Sequence, residues 1–424
     1  MSQLKQKRYP KISETLFYRR LDCGLDIYYL PKEGFHESYA ILTSQYGSVD
    51  KMLTPSVNEK LSGIAHFLEH KLFENEDGSD VLLQFTELGA EANAFTSFDR
   101  TTYLVSTTNQ LESCLSLLID FVTSPHFKEK SVQREVGIIE QEIDMYADDA
   151  DDRLFLGIRQ SLYPGTALAD DIAGTLDDIR QVTAEILQDH YNSFYQAENL
   201  TLITVGNFDV TEIDNLVVNR FTACDSSTIL APRTELDLNP VMSSQSLSMD
   251  VAMPKLAVGF RGRGIPFGMS ILEYKLSLRL VFSLLFGSTS ETYQDWYDSG
   301  KIDQAFDIEL EVTDRYQFVI VTLDTWEPIA MANRIKQVLI NFQENSDVSE
   351  EHLNRLKREY LGEFLKGLDS IDTIATQLAL NNLDGETYLD FPDYLERINL
   401  KVIQETASRF VREMDVSDFT IFPK

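Results

Sequence analysis

Cysteine, tryptophan and proline are scarce in this chain of 424 residues, which has 3, 2 and 12 of them. Cys23, Cys114 and Cys224 are too far apart in sequence for a CxxC metal knuckle or a disulfide framework. No apolar run reaches the ~18 residues of a membrane span, and the basic first residues lack the apolar core of a signal peptide. We therefore expect a protein of a reducing compartment, the cytoplasm, without a membrane partner.

Basic residues are also in short supply. The 37 lysines and arginines face 68 aspartates and glutamates, which gives a net charge of −31. A surface so acidic repels phosphate backbones, so we expect no nucleic-acid partner. The composition, 43% hydrophobic and 25% charged, is that of an ordinary globular protein with enough apolar material for more than one core.

Strand-like and helix-like patterns alternate in the first half and then return in the same order in the second half, about 215 residues later. The strand TYLVST at 102–107 is matched by YQFVIVTL at 316–323, and LTLITV at 200–205 by FTIF at 419–422. The helix at 111–123 is matched by one at 330–342, and the helix at 131–146 by one at 350–368. We predict an α+β fold made of two copies of one unit, each mainly antiparallel sheet covered by helices.

A polar stretch without apolar periodicity separates the two copies. It predicts a linker over residues 223–240, between an N-terminal domain at 1–222 and a homologous C-terminal domain at 241–424.

The sharpest chemical signal is the H-x-x-E-H sequence formed by His66, Glu69 and His70, inside a predicted helix over residues 60–73. At ~100° per residue these three side chains fall within one arc of the helix, and apolar residues occupy the other side. Two imidazoles four residues apart can reach a single metal ion, and zinc is the natural metal for two imidazoles and a carboxylate. Glu69 is then free to act as general base on water at the open position.

A third ligand has to come from elsewhere, and the predicted helix at 131–146 offers two candidates. Glu135 and Glu142 are two turns apart and lie on a face that we expect to be apolar, with Val132, Val136, Ile138, Ile139, Ile143, Met145 and Tyr146. A carboxylate on a buried stripe needs a metal or a partner charge. An ion pair is the alternative explanation for either glutamate. Glu140 points away from this face.

With REVGIIEQE about 70 residues after H-x-x-E-H, the chain resembles the insulysin, pitrilysin and mitochondrial processing peptidase family, the inverzincins. The resemblance implies a zinc metalloendopeptidase of peptides or short unfolded segments, with the fold of half a clamshell. It implies His66, His70 and Glu142 as zinc ligands, Glu69 as catalytic base and Glu135 as a supporting carboxylate in catalysis. GAEANAFTSFDRTTY at 89–103 resembles the edge strand of the family's active site, where Asn93 and Ala94 would bind an extended peptide.

One part of the family pattern is missing. Active members carry an arginine and a tyrosine seven residues apart in the half without zinc, and here Tyr297 and Gln304 occupy the corresponding positions. The short members of the family pair two subunits. The resemblance therefore implies a heterodimer with a homologous zinc-free paralogue that supplies the absent pair, or else a homodimer. The sequence is most similar to a bacterial subgroup that has been associated with modification of elongation factor P.

Two other interpretations were weighed. A non-proteolytic scaffold or assembly subunit of the same fold is the alternative function, and the absent arginine and tyrosine favour it, whereas the intact H-x-x-E-H argues for the enzyme. The glycine-rich GFRGRGIPFG at 259–268 is conceivable as a phosphate-binding loop, but it lacks the Gly-Lys-Ser/Thr ending of a P-loop, and a surface loop is the favoured interpretation.

Overall fold

The computed structural model describes residues 3–53, 60–221, 233, 235–381 and 385–424. The first sheet has the strand order β1-β2-β3-β7-β4-β6-β5, and β4 and β7, near its middle, are buried along their whole length. Its strands are β1 (Lys5–Tyr9), β2 (Glu14–Arg20), β3 (Asp26–Pro31), β4 (Ser38–Ser44), β5 (Ala90–Thr96), β6 (Thr101–Thr107) and β7 (Leu200–Gly206).

The second sheet has the order β10-β11-β9-β12-β8. Its strands are β8 (Ser244–Met249), β9 (Lys255–Arg261), β10 (Asp307–Val312), β11 (Gln317–Asp324) and β12 (Asp415–Pro423). Strands β9 and β11 are the most buried, and β8 and β10 lie at the two edges. The strands predicted at 316–323 and 419–422 correspond to β11 and to part of β12.

The two sheets repeat one topology. In the first, β3 and β7 are parallel, and β7-β4, β4-β6 and β6-β5 are antiparallel. In the second, β8 and β12 are parallel, and β12-β9, β9-β11 and β11-β10 are antiparallel. Five strands therefore match in order and direction, and the first sheet adds the hairpin β1-β2. The predicted duplication of a mainly antiparallel α+β unit is confirmed.

Helices fill the connections between the strands. In the first half they are α1 (Ile64–Leu72), α2 (Val81–Glu87), α3 (Leu111–Thr123), α4 (Glu129–Asp148), α5 (Ala150–Leu162), α6 (Leu176–Ile179), α7 (Ala184–Phe194) and α8 (Val210–Phe221). In the second half they are α9 (Ile271–Phe286), α10 (Glu291–Asp298), α11 (Pro328–Ile340), α12 (Glu350–Gly367), α13 (Ile371–Leu380), α14 (Phe391–Arg397) and α15 (Leu400–Glu413). The predicted helices at 111–123, 131–146, 330–342 and 350–368 are present within three residues at each end.

The helix predicted over 60–73 begins later, at Ile64. Gly63 precedes it with φ of 82° and ψ of −3°, a left-handed conformation in which the helix cannot continue backwards. A Cβ atom at this position would lie 2.4 Å from the carbonyl oxygen of Ala173. Glycine therefore fixes where α1 starts and how closely it approaches the neighbouring chain.

The chain forms two compact units, and each takes segments from both halves of the sequence. The first unit comprises residues 1–144, 170–234 and 365–389, and the second comprises 145–169, 235–364 and 390–424. Residues 365–389, in the second half of the sequence, bring α13 to the first unit, where it packs on β4 and β7. Residues 145–169, in the first half, bring α5 to the second unit, where it packs on β9 and β12. The boundaries 1–222 and 241–424 remain a prediction about the duplicated halves. Of the predicted linker, 223–232 and 234 lie outside the described residues.

Candidate metal centre

Helix α1 presents a polar stripe and an apolar face, as its sequence predicts. Its apolar side packs into the core of the first unit through Ile64, Phe67, Leu68 and Leu72, none more than 3% exposed. His66, Glu69 and His70 occupy the other arc and stay partly accessible. The amphipathic pattern of α1 thus anchors the helix and leaves its functional side chains together on one face.

Helix α4 supplies the carboxylates that face α1. Its buried contacts come from Val132, Val136 and Ile139. The expectation that the apolar stripe extends further is wrong, since Ile138, Met145 and Tyr146 are exposed. Met145 and Tyr146 belong to the last turn of α4, after its last buried residue, Ile139. Ile138 precedes that residue but projects from a different side of the helix, so it does not belong to the buried face.

The structure brings His66, His70 and Glu142 together. His66 Nε2 lies 3.6 Å from Glu142 Oε1, and His70 Nε2 lies 3.5 Å from Glu142 Oε2. One ligand atom from each of the three residues lies within 4.8 Å of the other two. These separations exceed those of N–H···O hydrogen bonds. Two ligands at zinc–ligand distances of about 2.1 Å and a tetrahedral angle are themselves about 3.4 Å apart. The donor set therefore fits a zinc ion.

Glu135 contacts the other side of the His70 ring. His70 Nδ1–H donates a hydrogen bond of 3.1 Å to Glu135 Oε1. This bond places the ring proton on Nδ1 and leaves the Nε2 lone pair directed to the Glu142 side. Such carboxylate–histidine contacts orient imidazoles in metal sites and set the tautomer that binds the metal.

The histidines and the glutamate of H-x-x-E-H are electrostatically distinct. Burial, together with the charge of His70, lowers the pKa of His66 to about 3, so His66 is neutral at ordinary pH. Burial opposes charge on His70 as well, but the Glu135 hydrogen bond and the nearby carboxylates outweigh it and raise the pKa of His70. Burial, with the charge of Glu142, raises the pKa of Glu69 despite the hydrogen bond from Thr96. A raised carboxyl pKa makes Glu69 a better proton acceptor than an exposed glutamate.

Lys71 follows His70 and is completely buried. Its Nζ lies 2.6 Å from Glu74 Oε2 and 4.0 Å from Glu135 Oε2. Arg134 Nη2 also contacts Glu74 Oε2, at 2.8 Å, and Lys71 and Arg134 lower the pKa of Glu74 against the effect of burial. A chain of charges thus runs from the His70 ring through Glu135 to Lys71.

Sequence reasoning missed Lys71 and Glu74, although a signal was present. At about 100° per residue, Lys71 falls in the middle of the apolar arc of α1, between Phe67 and Leu68. A lysine at such a position must be paired if it is buried. Glu140, by contrast, is where the sequence predicts it, away from the histidines, and its Oε1 accepts a 2.6 Å bond from Arg180 Nε.

Strand β5, which carries Asn93 and Ala94, is the last strand of its sheet in the described part of the chain. Asn93 pairs across the sheet with Leu104, and Ala94 with Tyr103, so their outer backbone groups lie at the sheet edge. The Ala94 amide donates to Asn93 Oδ1 at 2.8 Å. The expectation that the Ala94 N–H is offered to a peptide therefore requires the Asn93 side chain to rotate.

The end of β5 makes a contact that the sequence did not predict. Thr96 Oγ1 donates a 2.5 Å hydrogen bond to Glu69 Oε2, which ties the edge strand to the H-x-x-E-H helix. Because 27 positions separate the two residues, no helical or strand period in the sequence predicts this contact.

Tyr297 and Gln304 both belong to the second unit. Tyr297, on α10, is 44% exposed, and its ring stacks on that of Tyr293 at a centroid distance of 5.9 Å. Gln304 is exposed in the turn before β10. Neither side chain can supply the charge of an arginine, and the sequence from 296 to 306 contains none.

The glycine-rich stretch at 259–268 begins inside β9, and its two arginines are already paired. Arg261 Nη2 and Arg263 Nη2 contact Asp415 Oδ2 at 2.7 and 2.9 Å. The guanidinium groups that would attract a phosphate are engaged by a carboxylate, which argues against a phosphate-binding loop. The surface loop that the sequence favoured is wrong for residues 259–261, which belong to the buried strand β9, and fits residues 263–268.

Two models of one protein family match most of the chain. The family described as insulinase, peptidase family M16, matches residues 55–176, which include both histidines, Glu69, Glu135 and Glu142. The family described as the peptidase M16 inactive domain matches residues 181–360. A relative that is 36% identical over 430 residues spans 99% of this chain and all of its own length. The chain belongs to the M16 peptidase family.

Relatives and solved structures that resemble this chain include named zinc proteases and peptidases. That relative is a zinc protease of Bacillus subtilis, YmfH. The beta subunit of human mitochondrial-processing peptidase is 27% identical over 168 residues, 39% of this chain and 34% of that protein. The structure of an M16-like peptidase from Alicyclobacillus acidocaldarius covers all of this chain and 99% of its own, with a TM-score of 0.86 and 27% identity. The resemblance predicted from H-x-x-E-H is thereby confirmed.

Among the helices of the described residues, none is both long enough and apolar enough to cross a bilayer.

Proposed function

We propose that this M16 protein is a zinc metalloendopeptidase in which His66, His70 and Glu142 hold the ion. The observation that carries the proposal is the pair of distances, 3.6 and 3.5 Å, between the two Nε2 atoms and the two oxygens of Glu142. These distances are too long for hydrogen bonds between the imidazoles and the carboxylate, and they match the separation of two ligands that bind one ion. Zinc in this position supplies a Lewis acid that makes water a nucleophile at neutral pH.

Glu69 is the general base of the proposal. It shares the polar stripe of α1 with both histidines, and burial raises the pKa of its carboxyl group. It therefore takes the proton of the attacking water more readily than an exposed glutamate, and it can return that proton to the leaving amine. Glu135 acts through His70, whose ring it orients by the 3.1 Å hydrogen bond to Nδ1.

The peptide substrate is proposed to bind along the free edge of β5. An extended peptide added there would form main-chain hydrogen bonds with the strand that carries Asn93 and Ala94. Rotation of the Asn93 side chain, which now accepts from the Ala94 amide, would free that amide and let Asn93 bond to the peptide. Because main-chain bonds dominate this mode of binding, it suits peptides or unfolded segments.

The partner is proposed to be a homologous zinc-free subunit. No arginine occurs between 296 and 306, where the family pattern expects an Arg-Tyr pair, so the stabilisation of the substrate carbonyl is incomplete in this chain. A heterodimer would complete it, whereas a homodimer would not add the missing arginine. The relative in human mitochondria is itself named as a subunit.

The few cysteines suggest where the protein works. Cys23 and Cys114 are free thiols in the structure, and we propose the cytoplasm as the compartment. Fractionation of cells that contain the tagged protein tests this placement.

The decisive experiment replaces Glu69 by Gln, which keeps the side chain's size and removes its basicity. We expect the variant to retain one zinc per chain by elemental analysis and to lose peptide cleavage by at least a hundredfold. Glu140→Gln is the matched control, because Glu140 belongs to α4 but bonds Arg180, and it should retain both properties. Unchanged cleavage by Glu69→Gln would remove Glu69 from the mechanism.

A scaffold subunit without proteolytic activity is the second candidate, favoured by the absent arginine and tyrosine. Assays with and without the co-expressed paralogue separate the two. Cleavage that appears only with the partner supports the heterodimeric enzyme. Zinc binding without cleavage in either preparation supports the scaffold.

A further inference from the structure

The base of the proposed reaction has one side-chain hydrogen bond, and it comes from a different element. Thr96, the last residue of β5, donates from Oγ1 to Glu69 Oε2 at 2.5 Å. No other side chain in the described ranges forms a hydrogen bond with Glu69. A glutamate has several rotatable bonds, so a carboxylate without such a contact would occupy many orientations.

The hairpin that carries Thr96 is itself firmly held. Thr96 pairs with Thr101 across the β5–β6 turn. Two backbone amides, Ser48 N and Val49 N, donate to the carbonyl oxygens of Ser97 and Phe98, each at 3.0 Å. Arg100 Nη1 donates to the carbonyl oxygen of Ala379 at 2.6 Å, within the same unit. The turn therefore holds the Thr96 hydroxyl in a fixed place.

The neighbouring hydroxyl explains why the Thr96 proton points to Glu69. Thr101 Oγ1 lies 3.4 Å from Thr96 Oγ1 and donates its own proton to the carbonyl oxygen of Tyr46 at 2.9 Å. Each hydroxyl has one proton. With Thr101 committed to Tyr46, the remaining donor is Thr96, and its acceptor is the carboxylate.

We propose that Thr96 is a positioning residue for the general base: its hydroxyl fixes Glu69 Oε2, so that Oε1 faces the reacting water. The inference rests on the proposed function and adds to it a residue outside the H-x-x-E-H helix. A displaced base costs rate without changing substrate binding, because proton transfer needs hydrogen-bond reach and alignment. We therefore expect the loss of the Thr96 hydroxyl to lower kcat and to leave KM unchanged.

The test compares two variants at one position with a matched control. Thr96→Val keeps the shape and removes the hydroxyl, and Thr96→Ser keeps the hydroxyl. Thr102→Val is the control, since Thr102 lies on the same hairpin but its hydroxyl bonds Thr43 Oγ1 at 2.9 Å. We expect Thr96→Val to lower kcat about tenfold or more with KM and zinc content unchanged. Thr96→Ser and Thr102→Val should stay within about threefold of the wild type.

A second measurement does not depend on zinc or on activity. In the zinc-free chain, Thr96→Val should lower the unfolding midpoint, and the decrease should be smaller in a Glu69→Ala background, where the acceptor is gone. Equal decreases in both backgrounds would show that the two side chains do not interact and would overturn the proposal.

The remaining outcomes are distinguishable from a failure of the proposed function. If Glu69→Gln is inactive while Thr96→Val has the wild-type kcat, the positioning role is wrong and the peptidase stands. If Thr96→Ser is as slow as Thr96→Val, the residue acts through packing and the positioning role is again wrong. Activity that survives Glu69→Gln removes Glu69 as the general base and the positioning role of Thr96 with it, whereas the absence of cleavage by the wild type overturns the peptidase assignment.

Discussion

Lys71 Nζ and Glu74 Oε2 lie 2.6 Å apart directly beside the proposed zinc site, and the lysine side chain has no solvent exposure. An ammonium group removed from water is costly unless it is paired, and Glu74 is the partner at bonding distance. Because Glu135 Oε2 is also only 4.0 Å from this ammonium, the pair helps to set the electrostatics around the carboxylate that orients His70. A structural ion pair thus joins the last turn of α1 to the residues that follow the helix.

Lys71→Met should destabilise the protein by about 3 kcal/mol, because it removes the buried cation from the carboxylate of Glu74 and leaves that carboxylate with Arg134 and Ser131. Adding Glu74→Gln should recover most of this loss, since the uncompensated charge is then removed. Denaturant unfolding of the zinc-free chain measures both. Arg134→Met is the control: Arg134 contacts the same carboxylate from an exposed position, and its loss should cost less than about 1 kcal/mol. Equal losses for Lys71→Met and Arg134→Met would contradict the prediction.

Glu135→Gln should weaken zinc binding by about 10- to 100-fold without abolishing it, because Glu135 contacts His70 and not the proposed ion. Glu142→Gln should weaken binding far more, since it removes a proposed ligand. Competition with a chromogenic chelator gives both dissociation constants. An affinity for Glu135→Gln equal to that of the wild type would rule out its supporting role.

Glu309, on the edge strand β10, gives a prediction on pH. Burial, aided by the charges of Glu311 and Asp307, raises its pKa from 4.5 to about 7. The folded state therefore binds a proton that the unfolded state releases above pH 4.5. The contribution of Glu309 to the free energy of unfolding is therefore greatest below pH 4.5, and it is lost as the pH rises through 7. Glu309→Gln should raise the melting temperature at pH 8 and leave it nearly unchanged at pH 4.5.

The size of that effect follows from the shift. A rise of the pKa from 4.5 to about 7 corresponds to a change in the free energy of unfolding of about 3 kcal/mol at most, or several degrees in the melting temperature. Glu351→Gln provides the control, because Glu351 is 86% exposed and forms an ion pair with Arg355 at 3.7 Å. A gain for Glu309→Gln that is the same at both pH values would show that its cause is not ionisation.

Gly47 allows a close backbone approach near the proposed site. A Cβ atom there would lie 2.5 Å from the backbone nitrogens of Asp99 and Arg100, in the β5–β6 turn. Gly47→Ala should therefore displace the turn and destabilise the fold by at least about 2 kcal/mol. Gly137→Ala, inside α4 with nothing within 4 Å of the added carbon, should instead stabilise by about 0.5–1 kcal/mol. Thermal unfolding of the two variants should show shifts of opposite sign.

The sequence predicted the features that local periodicity encodes. H-x-x-E-H and the spacing of Glu135 and Glu142 placed the histidines on one stripe of α1 and both glutamates on one stripe of α4, because helical geometry fixes these faces. The family resemblance, and not the spacing, predicted that Glu142 is the glutamate near both histidines. The repeated order of strands predicted the duplicated sheet. The edge strands β1 and β8 carry weaker patterns, since much of their surface is exposed and their residues need not alternate.

Other features depend on contacts between distant parts of the chain. The bond from Thr96 to Glu69 joins residues whose separation has no helical or strand period. Ile138 precedes the buried Ile139 but lies on another side of α4, and Met145 lies after the last buried residue of that helix, so both are exposed although the sequence assigned them to its apolar face. An amphipathic helix also looks the same whichever sheet it covers. For that reason periodicity could not show that α13 packs on the first sheet and α5 on the second.

The position of α13 has a consequence for biosynthesis. Strands β4 and β7 emerge from the ribosome with the first half of the polypeptide, but the helix that covers them is encoded at residues 371–380, close to the end. Until α13 has been synthesised, the part of these two strands that it covers keeps its apolar side chains exposed to solvent or to a chaperone. The covering of the first sheet is therefore a late step, which follows the synthesis of most of the second half of the chain.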